Sequence, residues 1–320
     1  MCAILLTQRR RTQPVRSLGM ASRSRDPDTT ARPDVIAPWL PAIGNWQLVE
    51  LLGQGRWCKV YRARPLASIP DGPADYAVKL AKQSAATDAL AIRLLQREAL
   101  VAADVSHPHL TSILSARVHR PPHYLVMPYL IGQTLESVLA WQEKLAVPQA
   151  AGIARQTAQA MSALHQKGWV HSDIKPGNIL VGLTGHVTVL DLGLTRKSGG
   201  AGGGDGSALA GTLAYTAPES FGSLVELGPA MDVYSLGVTL YRMVTGVLPF
   251  PQTDPAALAA AHLHHRPPNP RLASPLLDHR IVHLLDRMLD KQPDRRPALD
   301  ELLALLAELE IVPADQRVAA

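Results

Sequence analysis

The chain has 320 residues, 47% hydrophobic and 18% charged, enough apolar material to bury a large core and too much for a disordered protein. Two cysteines, Cys2 and Cys58, cannot build a disulfide framework or a zinc site, which fits a reducing, cytoplasmic setting, and no run of about 18 apolar residues exists to span a membrane. The net charge of +5 is uneven: residues 1–25 carry six arginines with no acid or lysine, so the rest sums to −1 and the folded part is not expected to bind nucleic acid.

Residues 1–41 are rich in Arg, Ser, Thr and Pro, a composition that predicts a disordered tail. Its apolar patch, Ala3 to Leu6, precedes the arginines, the reverse of a secretory signal. An acid-poor, Arg-rich start fits a transit peptide or a nucleic-acid arm, but a solvated extension, or a true start at Met20, is the simpler reading.

Order is expected from Trp46. Leu48 to Leu52 reads as a strand, followed by Gly53-Gln54-Gly55-Arg56-Trp57-Cys58-Lys59-Val60 and a second strand through Tyr61 and Arg62. After a Pro- and Gly-bearing loop, Tyr76-Ala77-Val78-Lys79-Leu80 alternates as a strand, and an inward lysine there needs a partner. Leu90, Leu94, Val101 and Val105 then fall on one helical face. Glu98 lies on that stripe, as an edge residue or as half of an ion pair. His107-Pro108-His109-Leu110 reads as a helix stop and packing turn that opens another strand, not as a metal site. Tyr124 to Leu130 is an apolar strand leading into Gly132, and Leu135 to Trp141 and Pro148 to Lys167 have helical patterns.

The next stretch carries the chemistry. It runs His171-Ser172-Asp173-Ile174-Lys175-Pro176-Gly177-Asn178, then two apolar runs, Ile179 to Val181 and Val187 to Leu190, separated by a hairpin signal at Leu183-Thr184-Gly185-His186. The hairpin brings Asn178 near Asp191, because one precedes its first strand and the other follows its second. Two hard oxygen ligands in that position suit Mg²⁺, which prefers one or two carboxylates plus phosphate oxygens. Asp173, on the loop leading in, can face a substrate hydroxyl beside them.

A glycine-dominated run, Lys197 to Gly206, predicts a flexible loop. Beyond it come Gly211-Thr212-Leu213-Ala214-Tyr215-Thr216-Ala217-Pro218-Glu219, Asp232 to Val238, and helical segments over Pro255 to His265, Arg280 to Leu289 and Leu299 to Leu309. Asp232 reads as a cap at a helix start. His262, His264 and His265 sit near a helix C-terminus, where dipole and solvent account for them. Residues 311–320 read as a short polar tail with no further domain.

Taken together, His-x-Asp-x-Lys-Pro-x-Asn, Asp-x-Gly, the paired glycines, the strand lysine and Ala-Pro-Glu resemble eukaryotic-type (Hanks-type) serine/threonine protein kinases of bacterial style. The resemblance covers residues 46–310. It implies an α+β, two-lobed protein-kinase-like fold: a small antiparallel β-sheet lobe with one helix (46–130) and a larger, mainly helical lobe (131–310). It further implies ATP and Mg²⁺ (or Mn²⁺) as cofactors and protein substrates bearing Ser or Thr. Asp173 is the implied base, Lys175 the contact to the γ-phosphate, and Lys79 the bridge from Glu98 to the α/β-phosphates. Asn178 and Asp191 are the implied metal ligands. Leu52, Gly53, Gly55, Val60, Ala77, Lys79, Met127, Tyr129 and Leu180 are the implied nucleotide contacts, with Met127 at the back of the pocket.

The resemblance also pairs Glu219 with Arg296 and makes Asp232 a brace for the catalytic loop. Two departures stand out. Cys58 replaces the third glycine of the loop, and Ser172 replaces an arginine that ordinarily requires an activation-segment phosphate. Thr195, Ser198, Ser207, Thr212 and Thr216 are the candidate phosphate sites, on which activity is not expected to depend. The competing classes are a pseudokinase scaffold, disfavoured by intact Lys79, Glu98, Asp173, Asn178 and Asp191, and a small-molecule phosphotransferase, disfavoured by Lys175-Pro176 and Glu219.

Overall fold

The computed structural model describes residues 40–69, 72–82, 88–199, 213–221 and 228–311. Nearly all of the two expected tails, most of the glycine-dominated run, Ser207 and Thr212 lie outside the described residues.

The small lobe follows from strand periodicity. β1 (Ala42–Ile43), β2 (Trp46–Gln54), β3 (Cys58–Pro65), β4 (Tyr76–Ala81), β5 (Ser115–Arg117) and β6 (Tyr124–Pro128) form one sheet in the order β1-β2-β3-β4-β6-β5, antiparallel throughout. Because side chains alternate across a strand, Ala77, Lys79 and Ala81 share one face of β4 and Val78 and Leu80 the other. The first face meets α1 (Asp88–Asp104), where Leu52, Val60, Ala77, Leu125 and Met127 pack with Ala91 and Leu95. The second is covered by its own residues: Leu48, Tyr61, Val78 and Val126 cluster with Trp46, whose ring lies tilted against that of Tyr76 at 4.9 Å. Lys79 therefore points into the lobe because the strand period leaves it no other side.

The helix differs in one respect from its pattern. Its fully buried line is Ala91, Leu95, Glu98 and Val101, while Leu90 and Leu94 are only partly buried. The helix is covered on two sides, by the sheet and by a 3₁₀ turn at Leu192–Leu194, so the deepest line is shifted by one residue from the pattern's stripe. Leu94 faces the turn: a β-carbon on Gly193 would meet its carbonyl oxygen at 3.2 Å. Leu110 also differs, forming a single parallel bridge to Val189 instead of opening a strand, since Thr111 N and His109 Nδ1 bond the carbonyls of Val189 and Val187 at 3.0 and 2.8 Å.

In the large lobe β7 (Gly132–Thr134) leads into α2 (Leu135–Gln142) and α3 (Val147–Gln166). β8 (Trp169–Val170) precedes the loop that bears Asp173, and β9 (Ile179–Gly182) and β10 (Val187–Val189) make the hairpin, turned at Gly185 with φ +80°. β11 (Arg196–Lys197) pairs back on β8. α4 (Ala230–Thr245), α5 (Pro255–His264), α6 (His279–Met288) and α7 (Leu299–Glu310) follow. Local chemistry sets their limits. Thr134, Asp254 and Asp278 accept from backbone N–H groups of the first turns of α2, α5 and α6, and α4 stops at Gly246, whose φ of +81° only glycine adopts freely. α4 is the hub of the lobe: Tyr234, Leu236, Val238, Leu240 and Met243 are all 0% exposed and share a core with α3, α6 and α7. The molecule thus has the two-lobed α+β architecture.

One histidine departs from its sequence reading. His264 and His265 are exposed, but His262 is 0% exposed, so solvent does not account for it. Its Nδ1 bonds Tyr234 Oη at 2.9 Å and its ring stands edge-on to Phe250 at 4.9 Å. Burial, with the Lys291 ammonium nearby, pushes His262 down to about 4. The unfolded chain, with histidine near its ordinary 6.5, then binds this proton more readily, so the stability contribution is full above that value and is lost as the pH falls towards 4. Urea titrations of the parent and of His262→Gln should therefore differ in slope, the parent losing about 2–3 kcal/mol more between pH 7 and pH 4.5. Parallel pH profiles would contradict this.

Candidate active site

The loop after β8 takes its shape from one buried carboxylate. Asp232 Oδ2 accepts from His171 N and Asp232 Oδ1 from Ser172 N, each at 2.8 Å, and His165 Nε2 lies 2.8 Å from Oδ2. Burial works to raise the Asp232 carboxyl, but the bond from His165 and the neighbouring His171 outweigh it and hold it below the ordinary range. Ser172 has φ +66°, a left-handed conformation that costs a non-glycine residue on the order of 1–2 kcal/mol. Two bonds to a single fixed carboxylate hold it there. Asp232 is not the cap of its own helix: Pro229 occupies that position, and Asp232 directs both oxygens to the loop. His171, 0% exposed, continues the brace, its Nδ1 accepting from Asp173 N at 3.3 Å and its Nε2 meeting Leu190 O at 3.3 Å.

This loop delivers Asp173, Lys175 and Asn178 to one point. Lys175 Nζ lies 2.8 and 2.6 Å from the two oxygens of Asp173, and Asn178 Nδ2 donates to Asp173 Oδ2 at 2.7 Å and to its carbonyl at 2.9 Å. All three are buried. Leu190 N donates to Asn178 O at 2.8 Å, closing the hairpin beneath Asp191 as its strand pairing requires. Asp191 also has a left-handed backbone, φ +63°, and its Oδ1 accepts from Gly193 N at 3.4 Å. Aspartate tolerates that conformation better than most residues.

Across the cleft, Lys79 Nζ sits 2.6 Å from Glu98 Oε2 and 2.8 Å from Asp191 Oδ1. The sheet, α1 and the hairpin meet at this ammonium. Burial raises the Asp191 carboxyl, yet the charge and hydrogen bond of Lys79 outweigh it and hold it well below the carboxylate range. Glu98 goes the other way: burial pushes it up, Lys79 opposes, and the Asp191 charge adds to the rise. Asp191 is thus the firmly ionised member of the pair. Its carboxylate and the Asn178 amide oxygen are hard donors of the kind a small divalent ion takes alongside phosphate oxygens.

Beneath the glycine-bearing loop lies an apolar slot. Leu52, Ala77, Met127, Tyr129 and Leu180 line it, and Val60 belongs to the same buried cluster as Leu52, Ala77 and Met127. Thr111, Leu130 and Leu190 line it too, and no periodicity or motif singled them out. Gly53 pairs with Val60 in the β2–β3 ladder and Gly55 N donates to Cys58 O at 2.9 Å. The loop tip is anchored by Trp57, 7% exposed, with the Arg56 guanidinium 4.5 Å over its ring. At the slot's edge Tyr129 N donates to Asp75 O at 2.8 Å, and the Arg62 guanidinium lies 4.4 Å over the Tyr129 ring while its Nε bonds Ala74 O at 2.7 Å. Pro128 has no N–H, so Leu130 is the residue there with an amide to offer.

Farther out, Arg296 grips Glu219 through both nitrogens, at 2.6 and 2.8 Å, and its Nη1 and Nε bond the carbonyls of Ala230 and Asp290, each at 2.8 Å. Both side chains are almost fully buried. The pair ties the segment from Tyr215 to Phe221 to the start of α4.

The protein kinase domain model matches residues 46–305. The chain belongs to the protein kinase domain family. Among curated relatives, serine/threonine-protein kinase pkn3 of Myxococcus xanthus is 32% identical over 289 residues, covering 85% of this chain and 51% of that protein. PrkC of Bacillus subtilis is 29% identical over 254 residues (79% and 38%), and a probable serine/threonine-protein kinase of Clostridium perfringens is 28% identical over 280 residues (86% and 39%). The chain therefore spans about two fifths to one half of the length of these relatives. Protein kinases use ATP and a divalent metal, and the residues at the cleft have the donor chemistry for both.

Removing one partner of a buried charge pair leaves the other unpaired, which costs about 3–5 kcal/mol. Arg296→Ala and Glu219→Ala should each destabilise by that order in urea unfolding, with the double variant well short of the sum. Additive losses would mean that the two side chains do not act as a pair.

Proposed function

We propose that this chain is an ATP-dependent protein kinase that transfers the γ-phosphate to Ser or Thr hydroxyls of cytoplasmic proteins. The observation that carries the reading is the meeting of two buried sets across one cleft: Asp173 with Lys175 and Asn178 on one side, Asp191 with Lys79 and Glu98 on the other. In this reading the adenine ring enters the apolar slot that Met127 and Leu130 help to line. Gly53 and Gly55 let the loop backbone approach phosphate oxygens. Lys79, kept in place by Glu98, holds the α/β-phosphates.

Asn178 and Asp191 would bind Mg²⁺ or Mn²⁺, which supplies charge neutralisation at the phosphates. Asp173 orients the acceptor hydroxyl and takes its proton. Lys175, already beside that carboxylate, places a cation where the transferred group's negative charge develops. Such transfer asks little covalent chemistry of a protein, so position and charge supply most of the rate. The serine/threonine preference rests on Lys175-Pro176 and on the names of the relatives.

Asp173→Ala should lower transfer of labelled phosphate from ATP to a generic basic protein by about 10²–10⁴-fold. Acid hydrolysis of the product should release phosphoserine and phosphothreonine. Nucleotide binding without transfer would favour a scaffold, and label on small metabolites alone would favour a small-molecule phosphotransferase.

Ser172 bears on regulation. An arginine in its place would bring a positive charge against Asp173 that a phosphate must neutralise; serine brings none, and its hydroxyl turns to Val170 O at 3.3 Å. Phosphatase treatment of the purified chain should accordingly leave most of the transfer activity in place. Loss of activity, restored by rephosphorylation, would overturn this.

A further inference from the structure

A kinase that does without an activation-segment phosphate needs some other means of fixing α1, because the Lys79–Glu98 contact depends on where that helix sits. The far end of α1 is held by a cluster outside the catalytic residues. Asp104, its last residue, accepts from Trp169 Nε1 at 2.6 Å. Trp169 belongs to β8, is 5% exposed, and pairs in register with Lys197 of β11. Lys197 Nζ lies 3.8 Å from the centroid of the Trp169 ring, donates to Lys167 O at 3.1 Å and stands 3.9 Å from Asp104 Oδ2. One indole thus joins the end of the helix to the first strand of the activation segment.

A second strap runs parallel to it. Arg97, next to Glu98, donates from Nη1 to Thr195 O at 2.7 Å. The helix is therefore fastened at Arg97 and at Asp104, two turns apart, to a segment that β8 holds against the catalytic loop. The Lys197–Asp104 pair is largely exposed and contributes little alone. The indole bond is short and charge-assisted, from a buried ring to a carboxylate 42% exposed, and it is the stronger contact of the cluster. Side chains and backbone carbonyls of the chain itself make all of these contacts.

We propose that Trp169, Asp104 and Lys197 form a latch of positioning residues that sets α1, and through it Glu98, for phosphoryl transfer, in place of a phosphate-filled basic pocket. The proposal rests on the phosphotransfer reading given above. None of the three residues touches the slot or the carboxylates at the cleft. Their loss acts through the Lys79–Glu98 contact and falls on turnover more than on nucleotide affinity.

The test uses the full chain, phosphatase-treated, with ATP and myelin basic protein as substrate, and Asp173→Ala as the inactive reference. Asp104→Ala alters a half-exposed helix end, and Trp169→Phe keeps the ring while removing the donor. Each should lower kcat about tenfold, with KM for ATP within threefold of the parent and Tm within about 3 °C. Asp104→Asn, whose amide oxygen still accepts from the indole, should keep at least half of the parent kcat. Turnover within twofold of the parent in both Asp104→Ala and Trp169→Phe would overturn the latch. So would a fall in kcat matched by a large fall in Tm, or an Asp104→Asn variant as slow as Asp104→Ala. A parent no faster than the Asp173→Ala reference would instead overturn the phosphotransfer reading itself.

Discussion

A single buried ammonium joins three parts of this molecule. Lys79 comes from the sheet, Glu98 from the helix laid across it, and Asp191 from the end of a hairpin in the other lobe. A cation taken out of water is costly unless its partners are close and well aligned, so each element is useful only where the other two are correctly set. The small alanines at positions 77, 81 and 91, which let helix and sheet approach, and the glycine at 193, which lets the turn approach the helix, serve that one contact.

The large lobe repeats the device with the sign reversed. There a buried carboxylate, Asp232, gathers two backbone amides and a histidine, and the loop that bears Asp173 is bent to suit it. Rigid helices carry the charge and the loop conforms, which explains how residues on irregular backbone keep a fixed geometry. The strain at Ser172 falls next to Asp173 and that at Asp191 beside Lys79, where the surrounding contacts over-determine the backbone.

Much of this is legible in the sequence, for reasons that differ between elements. The β4 alternation puts Lys79 inside, the hairpin spacing puts Asn178 near Asp191, and both rest on short-range geometry that a linear pattern records directly. The partner of Lys79 follows less directly, from the rule that a carboxylate on an apolar stripe must find a cation or stay at the edge. What a pattern does not record is which neighbour covers a face. The helix stripe runs through Leu95 and not Leu94 because two surfaces press on it, and His262 is buried because Tyr234 and Phe250 reach it from other parts of the lobe. Thr111 and Leu190 reach the slot through lobe packing alone. The Trp169–Asp104 contact spans 65 residues, and neither residue type signals the other.

The fastening of the inter-lobe strand to the β3–β4 connection carries a mechanical consequence. Tyr129 is pinned on its outer side by Asp75 and clasped by Arg62, which itself grips Ala74. A joint secured along its back edge resembles the stitched spine of a book, with the glycine-bearing loop at the open front. On the proposed function, a nucleotide would enter and leave at that front, past the loop tip weighted by Trp57.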